Sequence, residues 1–452
     1  MQVSFLPLKV VVRFLSVAVP FLAVGLPLFP KTRDQLPLAF LYSSTFPGYL
    51  SGAVPLADGG YLVSGAEMEN WSVWNRWALR VDSSGAVVWQ EAFPAVHGGP
   101  SSVENVVLLD QGLVFLTGNI YTDRKNSSQD ADVACLSNEG EVTWEKEFLF
   151  APRGCGLYTS VLNDDGTVTL GGTIAPSSAT AGPYPWLVVL QTDGKIRKQV
   201  CLKGRGYGVV TSLLKTNDGS LMAGGFRFYP GEAEVSFLAK LDSKYQIQWQ
   251  LLYDVPRPSY ASAKDGCFIV TGNTSSSPGG PRNLVALLDQ DGHIIWQTEI
   301  AGDDTISVRR VFHLADDSHL VLGLISPSQF QTRPWIIKLD SAGAICWQRR
   351  YGFSSDGFDE FFDVLEASDG SLVVSGQIGT SGFLGTATLL KLTPEGLVEG
   401  DCSFVNDTSF FLKENSEGEK QHSCLSKPTN AHGTLITTAP FQTAAQATPL
   451  CP

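Results

Sequence analysis

Short runs of apolar residues, each bounded by Asp, Asn, Ser or Gly, follow one another along most of the chain. The clearest example is DGGYLVSG at 58–65, which precedes the similar stretch WALRVDSSGAVVWQ at 77–90. Runs of this length between turn residues predict strands joined by tight turns. No segment after the N-terminus has the sustained apolar period of a helix. The pattern therefore predicts an all-β chain.

The same unit occurs seven times. Its first turn recurs at Gly59, Gly112, Gly166, Gly219, Gly266, Ser318 and Gly370, in steps of 53, 54, 53, 47, 52 and 52 residues. Each unit predicts four short strands; in the second unit these are Val103–Leu109, Leu113–Asn119, Asp132–Ser137 and Glu141–Phe148. Seven such units predict a seven-bladed β-propeller of four-stranded antiparallel blades.

A Trp stands four residues after the second turn in five units. These residues are Trp89, Trp144, Trp249, Trp296 and Trp347, whereas Lys198 and Gly400 take the position in the other two. The position falls on the outermost strand, where a ring that buries about 150–250 Å² can cover the contact with a neighbouring blade. We predict that these five rings dock one blade on the next.

The unit resembles a known repeat. The stretch WIIKLDSAGAICWQ at 335–348, followed by Tyr351-Gly352 and by the continuation at 359–376, resembles the repeats of bacterial and archaeal secreted β-propeller proteins, called delta-sixty or PQQ-like propeller repeats. The resemblance extends from about Pro47 to Phe404. It implies the fold and a role as a scaffold, an adhesin or another surface module, and it implies no particular activity.

The chain divides into three predicted parts. Residues 1–30 have Lys9 and Arg13 as their only charges, followed by an uncharged run too short for a spanning helix. This pattern predicts a cleaved signal peptide, with a retained N-terminal anchor as the alternative, and thus a secreted, cell-surface or periplasmic protein. The propeller occupies 38–404. The polar segment 405–452 predicts a partly flexible tail or a small β appendage.

Closure of the ring involves the N-terminal end of the propeller. The segment Leu38–Tyr42 has the pattern of an outer strand without a blade of its own, and the outer strand of the seventh unit, Leu397–Phe404, lacks its Trp. We therefore expect Leu38–Tyr42 to pair with the seventh blade.

The net charge of −13 disfavours nucleic acid and anionic membrane surfaces as partners. The partner that remains is a protein or a glycan, and membrane attachment is expected only through an uncleaved N-terminal anchor. The eight cysteines permit disulfides in an exported protein. A link between two of Cys402, Cys424 and Cys451 would tie the tail to the body, while Cys267 and Cys346 are expected to be buried.

Motifs for catalysis and metal binding are few. The sequence contains no GxSxG, HExxH or P-loop. His313 and His319 flank an Asp pair, but they occupy the position of the first hairpin turn, so we predict a solvated turn. Asp289 and Asp291 resemble the start of a calcium loop without its later acidic ligand. We therefore predict no metal and no cofactor, with Ca²⁺ as the weaker alternative.

Departures from the repeat are the candidate ligand-binding residues. Trp71 and Trp74 lie in a polar loop of the first unit, where they can stack on a sugar or anchor a protein. Acidic residues precede the sixth and seventh units and can ligate a cation: Asp303, Asp304, Asp356, Asp359 and Glu360. Loop packing and solvated charge are the alternative explanations.

These observations favour an exported or surface-associated propeller that acts as a non-catalytic binding or scaffolding module. The alternative is an extracellular enzyme, either a quinoprotein-like oxidoreductase or a carbohydrate-active lyase or hydrolase. Seven units and the lack of a clustered set of catalytic side chains weigh against the enzyme.

Overall fold

The computed structural model describes residues 39–43, 47–70, 73–93, 101–109, 114–123, 128–149, 154–175, 182–203, 207–228, 234–253, 259–274, 282–301, 305–328, 331–352, 357–381, 384–398, 405–407, 411–414, 420–421, 425–427, 432–436 and 446–449. Apart from a short 3-10 turn at Lys264–Gly266, the regular structure in these residues is entirely β. None of the described helical segments is long and apolar enough to cross a membrane.

Seven antiparallel sheets form the blades, which confirms the predicted seven-bladed β-propeller. Blade 1 contains β2 (Gly48–Pro55), β3 (Tyr61–Asn70), β4 (Val73–Val81) and β5 (Val87–Phe93). Blade 2 contains β6 (Ser101–Leu108), β7 (Val114–Asp123), β8 (Ser128–Leu136) and β9 (Val142–Leu149). Blade 3 contains β10 (Cys155–Leu162), β11 (Val168–Ile174), β12 (Tyr184–Leu190) and β13 (Ile196–Lys203).

The next three blades repeat this order. Blade 4 contains β14 (Tyr207–Lys215), β15 (Leu221–Phe228), β16 (Val235–Leu241) and β17 (Ile247–Tyr253). Blade 5 contains β18 (Ser259–Ser262), β19 (Phe268–Thr274), β20 (Arg282–Leu288) and β21 (Ile294–Ala301). Blade 6 contains β22 (Thr305–His313), β23 (His319–Ser328), β24 (Gln331–Leu339) and β25 (Ile345–Tyr351).

Blade 7 is completed by the N-terminal end of the propeller. Its strands β26 (Glu360–Glu366), β27 (Leu372–Ser381) and β28 (Leu384–Leu392) are joined by β1 (Ala39–Ser43), and Ala39 pairs with Leu390. The hydroxyl of Tyr42 also donates to the carbonyl of Gly85 in blade 1, at 3.0 Å. The predicted pairing is therefore present for 39–42, while Leu38 and residues 399–404 lie outside the described residues.

The C-terminal segment contributes further edge strands. They are β29 (Val405–Asp407), β30 (Phe411–Glu414), β31 (Lys420–Gln421), β32 (Leu425–Lys427), β33 (His432–Ile436) and β34 (Gln446–Pro449). In this order they pair with the outermost strands of blades 6, 5, 4, 3, 2 and 7. The described tail thus lies along the rim, where it covers edges that would otherwise be free to pair.

The hydrophobic cores lie between neighbouring sheets, as expected for packed β layers. Between blades 7 and 1, for example, Trp77 of β4 belongs to the same buried cluster as Val373 and Leu389. Trp186 of β12 and Trp335 of β24 occupy related cores, and all three rings are fully buried. Only the outer-strand tryptophans recur at a fixed distance from a turn in five units, and the burial of these three third-strand rings was therefore not predicted.

Hairpin turns within each blade lie at one end of the propeller, which we call the turn end. The second strand of each blade ends, and the third strand begins, at the other end, which we call the loop end. In blade 6 the first turn has Asp317 at φ 64°. The counterpart of the first-turn glycine is therefore Asp317, one residue before the Ser318 inferred from sequence spacing.

Candidate functional site

The innermost strands surround a cavity of about 630 Å³ on the axis of the propeller. Blades 2 to 7 supply its lining, and charged side chains are prominent in it, among them Glu104 of β6, Arg309 and Arg310 of β22, and Glu366 of β26. A cavity of this size lies in the range of small-molecule sites, about 300–1,000 Å³. The axial channel is therefore a concave site of ligand size among the described residues.

Irregular strand pairing places consecutive side chains in this channel. Successive side chains of a regular strand point to opposite faces. In six blades, however, the pairing of the first and second strands shifts by one residue, at Leu50/Gly52, Val103/Asn105, Leu157/Thr159, Val210/Ser212, Val308/Arg310 and Phe361/Asp363. Such a bulge re-aims side chains, and as a result Arg309 and Arg310 both line the cavity.

Two arginine–carboxylate pairs connect the inner strands of blades 6 and 7. Arg309 Nη2 lies 3.6 Å from Glu360 Oε1, and Arg310 Nη1 lies 3.3 Å from Asp363 Oδ1. The Asp363 carboxylate also accepts a backbone N–H from Ala53 in blade 1. Burial raises the pKa of both carboxyl groups, and the facing arginines oppose that rise. Asp363 thereby connects three blades around the channel.

Three aromatic rings lie next to these ion pairs, at the loop end. The ring centroid of Trp74 lies 5.8 Å from that of Tyr49, which lies 5.2 Å from that of Phe362. Phe362 is the extra residue of the bulge in β26, between Glu360 and Asp363. We call these three half-buried rings the aromatic row. The aromatic row extends from the loop end of blade 1 to β26, the innermost strand of blade 7.

The predicted acidic residues have different surroundings. Asp359 is fully buried. Its Oδ1 accepts the N–H of Gly379 at 3.0 Å, and its Oδ2 lies 3.4 Å from Arg333 Nη1. Asp359 therefore connects blades 6 and 7, whereas Glu360 faces Arg309. Trp71, Asp303, Asp304 and Asp356 lie outside the described residues.

The outer-strand tryptophans lie against the second turn of the next blade. A Cβ added to Gly140 would come within 2.7 Å of the Trp89 ring, and Gly140 has a φ of +86°, which favours glycine. Corresponding Trp and Gly pairs are Trp144 with Gly194, Trp249 with Gly292, Trp296 with Gly343, and Trp347 with Gly396. The Trp89 indole N–H donates to the Asn138 carbonyl at 2.8 Å. The rings therefore contact the adjacent blade at five interfaces.

The His313 and His319 rings meet beside the first turn of blade 6. Their Nδ1 atoms are 3.3 Å apart, and the buried His319 ring also lies 6.1 Å from that of Trp296. Burial and the neighbouring His313 lower the pKa of His319 to about 4. This histidine is therefore neutral at physiological pH, inside the contact between blades 5 and 6.

One group among the described residues has metal-ligand spacing: Asp289, Asp291 and His293, whose ligand atoms lie within 4.8 Å of one another. Asp289 Oδ1 already accepts the backbone N–H groups of Asp291 and His293, each at 2.9 Å. The group is thus a hydrogen-bonded hairpin turn, as the Asp and Gly pattern predicts.

Four described cysteines are free thiols: Cys135, Cys155, Cys267 and Cys346. The expectation that Cys346 is buried is wrong, since this residue is exposed. Cys267, which was also expected to be buried, is only partly buried. Cys346 is the extra residue of a bulge in β25, which turns its side chain to solvent. Cys402, Cys424 and Cys451 lie outside the described residues, so their pairing stays a prediction.

No protein-family model matches the chain, and no curated protein matches its sequence. The resemblance to delta-sixty or PQQ-like repeats therefore stays a prediction. Among solved structures, the chain is similar to a protein of unknown function from Dyadobacter fermentans, with 10% identity, a TM-score of 0.44 and coverage of 65% of this chain and 94% of that one.

Two other solved structures show similarity at the same level. The β-propeller domain of the trilobed protease from Pyrococcus furiosus has 11% identity and a TM-score of 0.41, with 83% of this chain and 97% of that one covered. Puromycin hydrolase has 16% identity and a TM-score of 0.43, with 76% of this chain covered. The match spans 52% of the hydrolase chain, about half of its length.

Proposed function

We propose that this chain is an exported or surface-associated propeller that binds a glycan, without catalysis, at the loop end of its channel. The observation that carries the proposal is the aromatic row beside the two arginine–carboxylate pairs. Flat rings offer a stacking surface for the apolar face of a sugar. Charged groups with fixed positions offer hydrogen bonds to its hydroxyls.

Binding without turnover fits the surroundings of the acidic groups. Glu360 and Asp363 each face an arginine, and Asp363 also accepts a backbone N–H. Groups held in this way are suited to recognition by fixed hydrogen bonds. A protein ligand is compatible with the same surface, because Trp, Tyr and Arg are the residues that anchor protein interfaces.

A carbohydrate-active enzyme is the second candidate, and one observation favours it. Burial raises the pKa of Glu360 and of Asp363, and a raised pKa is what a general acid in glycoside cleavage requires. On this alternative, Asp363→Asn would abolish turnover while leaving sugar binding in place.

The test combines binding with turnover on the same purified chain. A glycan array identifies ligands, isothermal titration calorimetry gives their affinities, and a reducing-end assay follows cleavage. We expect Trp74→Ala and Phe362→Ala each to weaken glycan binding at least tenfold without any turnover in the parent. Phe228→Ala is the matched control, because this ring is exposed and is not part of the aromatic row.

Three outcomes decide between the candidates. Unchanged affinity in both aromatic variants would overturn the channel as the site. Cleavage that is lost in Asp363→Asn would establish the enzyme. Absence of any glycan ligand, together with a protein ligand that is lost in Trp74→Ala, would replace the glycan by a protein at the same surface.

A further inference from the structure

The interface between blades 3 and 4 departs from the Trp and Gly contact found at five other interfaces. Strand pairing places Lys198 opposite Val189, directly before a register shift. Trp144 and Trp296 have the same position, opposite Cys135 and Leu287. Lys198 therefore stands in blade 3 where the neighbouring blades have the docking ring.

The opposite side of this interface has changed as well. At the second turn of blade 4, the position of the glycine is taken by Tyr245, which has a φ of 63°. Its hydroxyl lies 2.8 Å from Thr169 Oγ1 of blade 3, and Lys198 Nζ lies 4.9 Å from the centre of its ring. The aromatic ring of the contact thus comes from blade 4 rather than blade 3, and a lysine faces it.

This exchange accompanies a cavity of about 440 Å³ at the turn end, which we call the Lys–Tyr cavity. Besides Tyr245, its lining contains four basic side chains: Arg197, Lys198, Lys215 and Lys244. Three carboxylates also line it: Asp164, Asp165 and Asp242. The volume is large enough for a ligand of monosaccharide size.

The charges around this cavity are only partly compensated. Arg197 pairs with Asp165 and Lys215 with Asp164. The Asp242 carboxylate accepts two backbone N–H groups of its own turn, at 2.8 Å each. Lys198 donates to the carbonyl of Lys244, and within the described residues neither lysine forms an ion pair. Lys198 and Lys244, two lysines without a carboxylate partner among the described residues, therefore line one cavity in a chain of net charge −13.

We propose that the Lys–Tyr cavity binds a small, hydroxyl-bearing organic anion, with the anionic group at Lys198 and Lys244. Asn163, Thr167, Ser220 and Ser243 also line the cavity and supply polar groups for hydroxyls. The site is at the opposite end of the propeller from the aromatic row, and it does not depend on the glycan proposal.

The residues at the other blade interfaces suggest the variant that tests this site. The double substitution Lys198→Trp with Tyr245→Gly introduces the contact found at five other interfaces, and it removes both the lysine and the tyrosine from the cavity lining. The probes are glucuronate and glucose 6-phosphate, with uncharged glucose as their match. We expect both anions to raise the melting temperature of the parent with saturation, glucose to have no effect, and the double variant to lose at least tenfold in affinity for both.

Two further variants keep the test decisive. Lys198→Gln removes one charge and leaves Tyr245 in place, and it should weaken binding of both anions about tenfold even if the double variant does not fold. Lys195→Gln is the matched control, because Lys195 lies in the adjacent turn, pairs with Asp193 and does not line the cavity. Affinity should also fall as salt is raised, because exposed charges are screened.

Three results would contradict an anion site in the Lys–Tyr cavity. The proposal is overturned if neither anion produces a saturable shift in the parent, or if Lys198→Gln binds both probes as tightly as the parent. Equal binding by a folded double variant would overturn it too. A glycan that still binds the aromatic row in all of these variants would leave the channel proposal intact.

Discussion

The turn end repeats a side-chain contact from blade to blade, whereas the channel repeats a backbone irregularity. At the turn end the side-chain contact itself recurs, since five interfaces place a Trp ring against a glycine of the next blade. In the channel the same backbone bulge recurs in six inner strands, but the extra residue differs. That residue is Ser51, Glu104, Tyr158, Thr211, Arg309 or Phe362. The recurring contacts stabilise the ring, and the varied positions are free to differ in chemistry.

The largest effect is expected at the turn end. Trp296→Ala should lower the free energy of unfolding by about 3 kcal/mol. This value is at the low end of the range for large-to-small substitutions, because the ring is only partly buried. Urea unfolding measures the loss, and channel binding of the folded variant should be unchanged. Trp296→Phe should cost only about 1 kcal/mol, since it keeps the packing and loses the hydrogen bond to the Ser341 carbonyl. A loss below about 1 kcal/mol in Trp296→Ala would contradict the assignment.

An intermediate effect is expected at the contact between blades 6 and 7. Asp359→Asn removes the charge opposite Arg333 from a fully buried site. We expect a loss of about 2 kcal/mol in the free energy of unfolding, since a hydrogen bond to a charged group is worth about 1.5–3 kcal/mol. Asp291→Asn, at an exposed turn, is the control and should change stability by less than about 0.5 kcal/mol. Equal stability of the two variants would show that Asp359 does not hold blades 6 and 7 together.

A pH dependence follows from the His319 contact. Its pKa is lowered to about 4 in the folded chain, from an ordinary value of 6.5. The unfolded chain therefore binds more protons between these values, so this contribution is complete above pH 6.5 and is lost as the pH falls towards 4. Its size should be on the order of 3 kcal/mol, since one pKa unit corresponds to about 1.4 kcal/mol. Denaturant unfolding from pH 4 to 7 should show this slope, and His319→Gln should reduce it; an equal slope in both would refute the assignment.

The smallest effect on stability, and a large one on binding, is expected in the channel. Arg309→Ala removes a pair 3.6 Å long whose arginine is half exposed, so unfolding should change by less than about 0.5 kcal/mol. Glycan affinity measured by calorimetry should nevertheless fall several-fold. Arg80→Ala, which removes an exposed pair at the turn end, is the control for binding. The contrast between the two regions would fail if Arg309→Ala destabilised the chain more than Trp296→Ala.

Repetition made most of the fold predictable. The spacing of turns gave the number of blades, and a leftover outer strand at 38–42 predicted the closure of blade 7, which Ala39–Tyr42 provides. The site was less accessible to sequence reasoning. Asp359 and Glu360 are neighbours in sequence, yet one is fully buried between blades and the other faces Arg309.

The bulges explain what sequence reasoning missed. Arg309, Arg310 and Asp363 were not singled out, because simple alternation does not place two consecutive arginines on one side of a strand. Six of the seven inner strands share this shift, which becomes visible only in the register of the paired strands. The exchange of Trp for Lys198 was visible in the sequence, but the matching Tyr245 became meaningful only across the interface.

The pairing of β1 with β28 has a consequence for the order of folding. The partners Ala39 and Leu390 are 351 positions apart (390 − 39), whereas the other strand pairs within the blades join consecutive segments. Contacts between residues so far apart in sequence form slowly, because the entropy cost of closing a long loop comes before the favourable energy of the contact. During synthesis, the first strand of the propeller has to wait for the last blade. Completion of the ring is therefore expected to be the rate-limiting step of folding, and the seam between β1 and β28 to be the first place at which the ring opens.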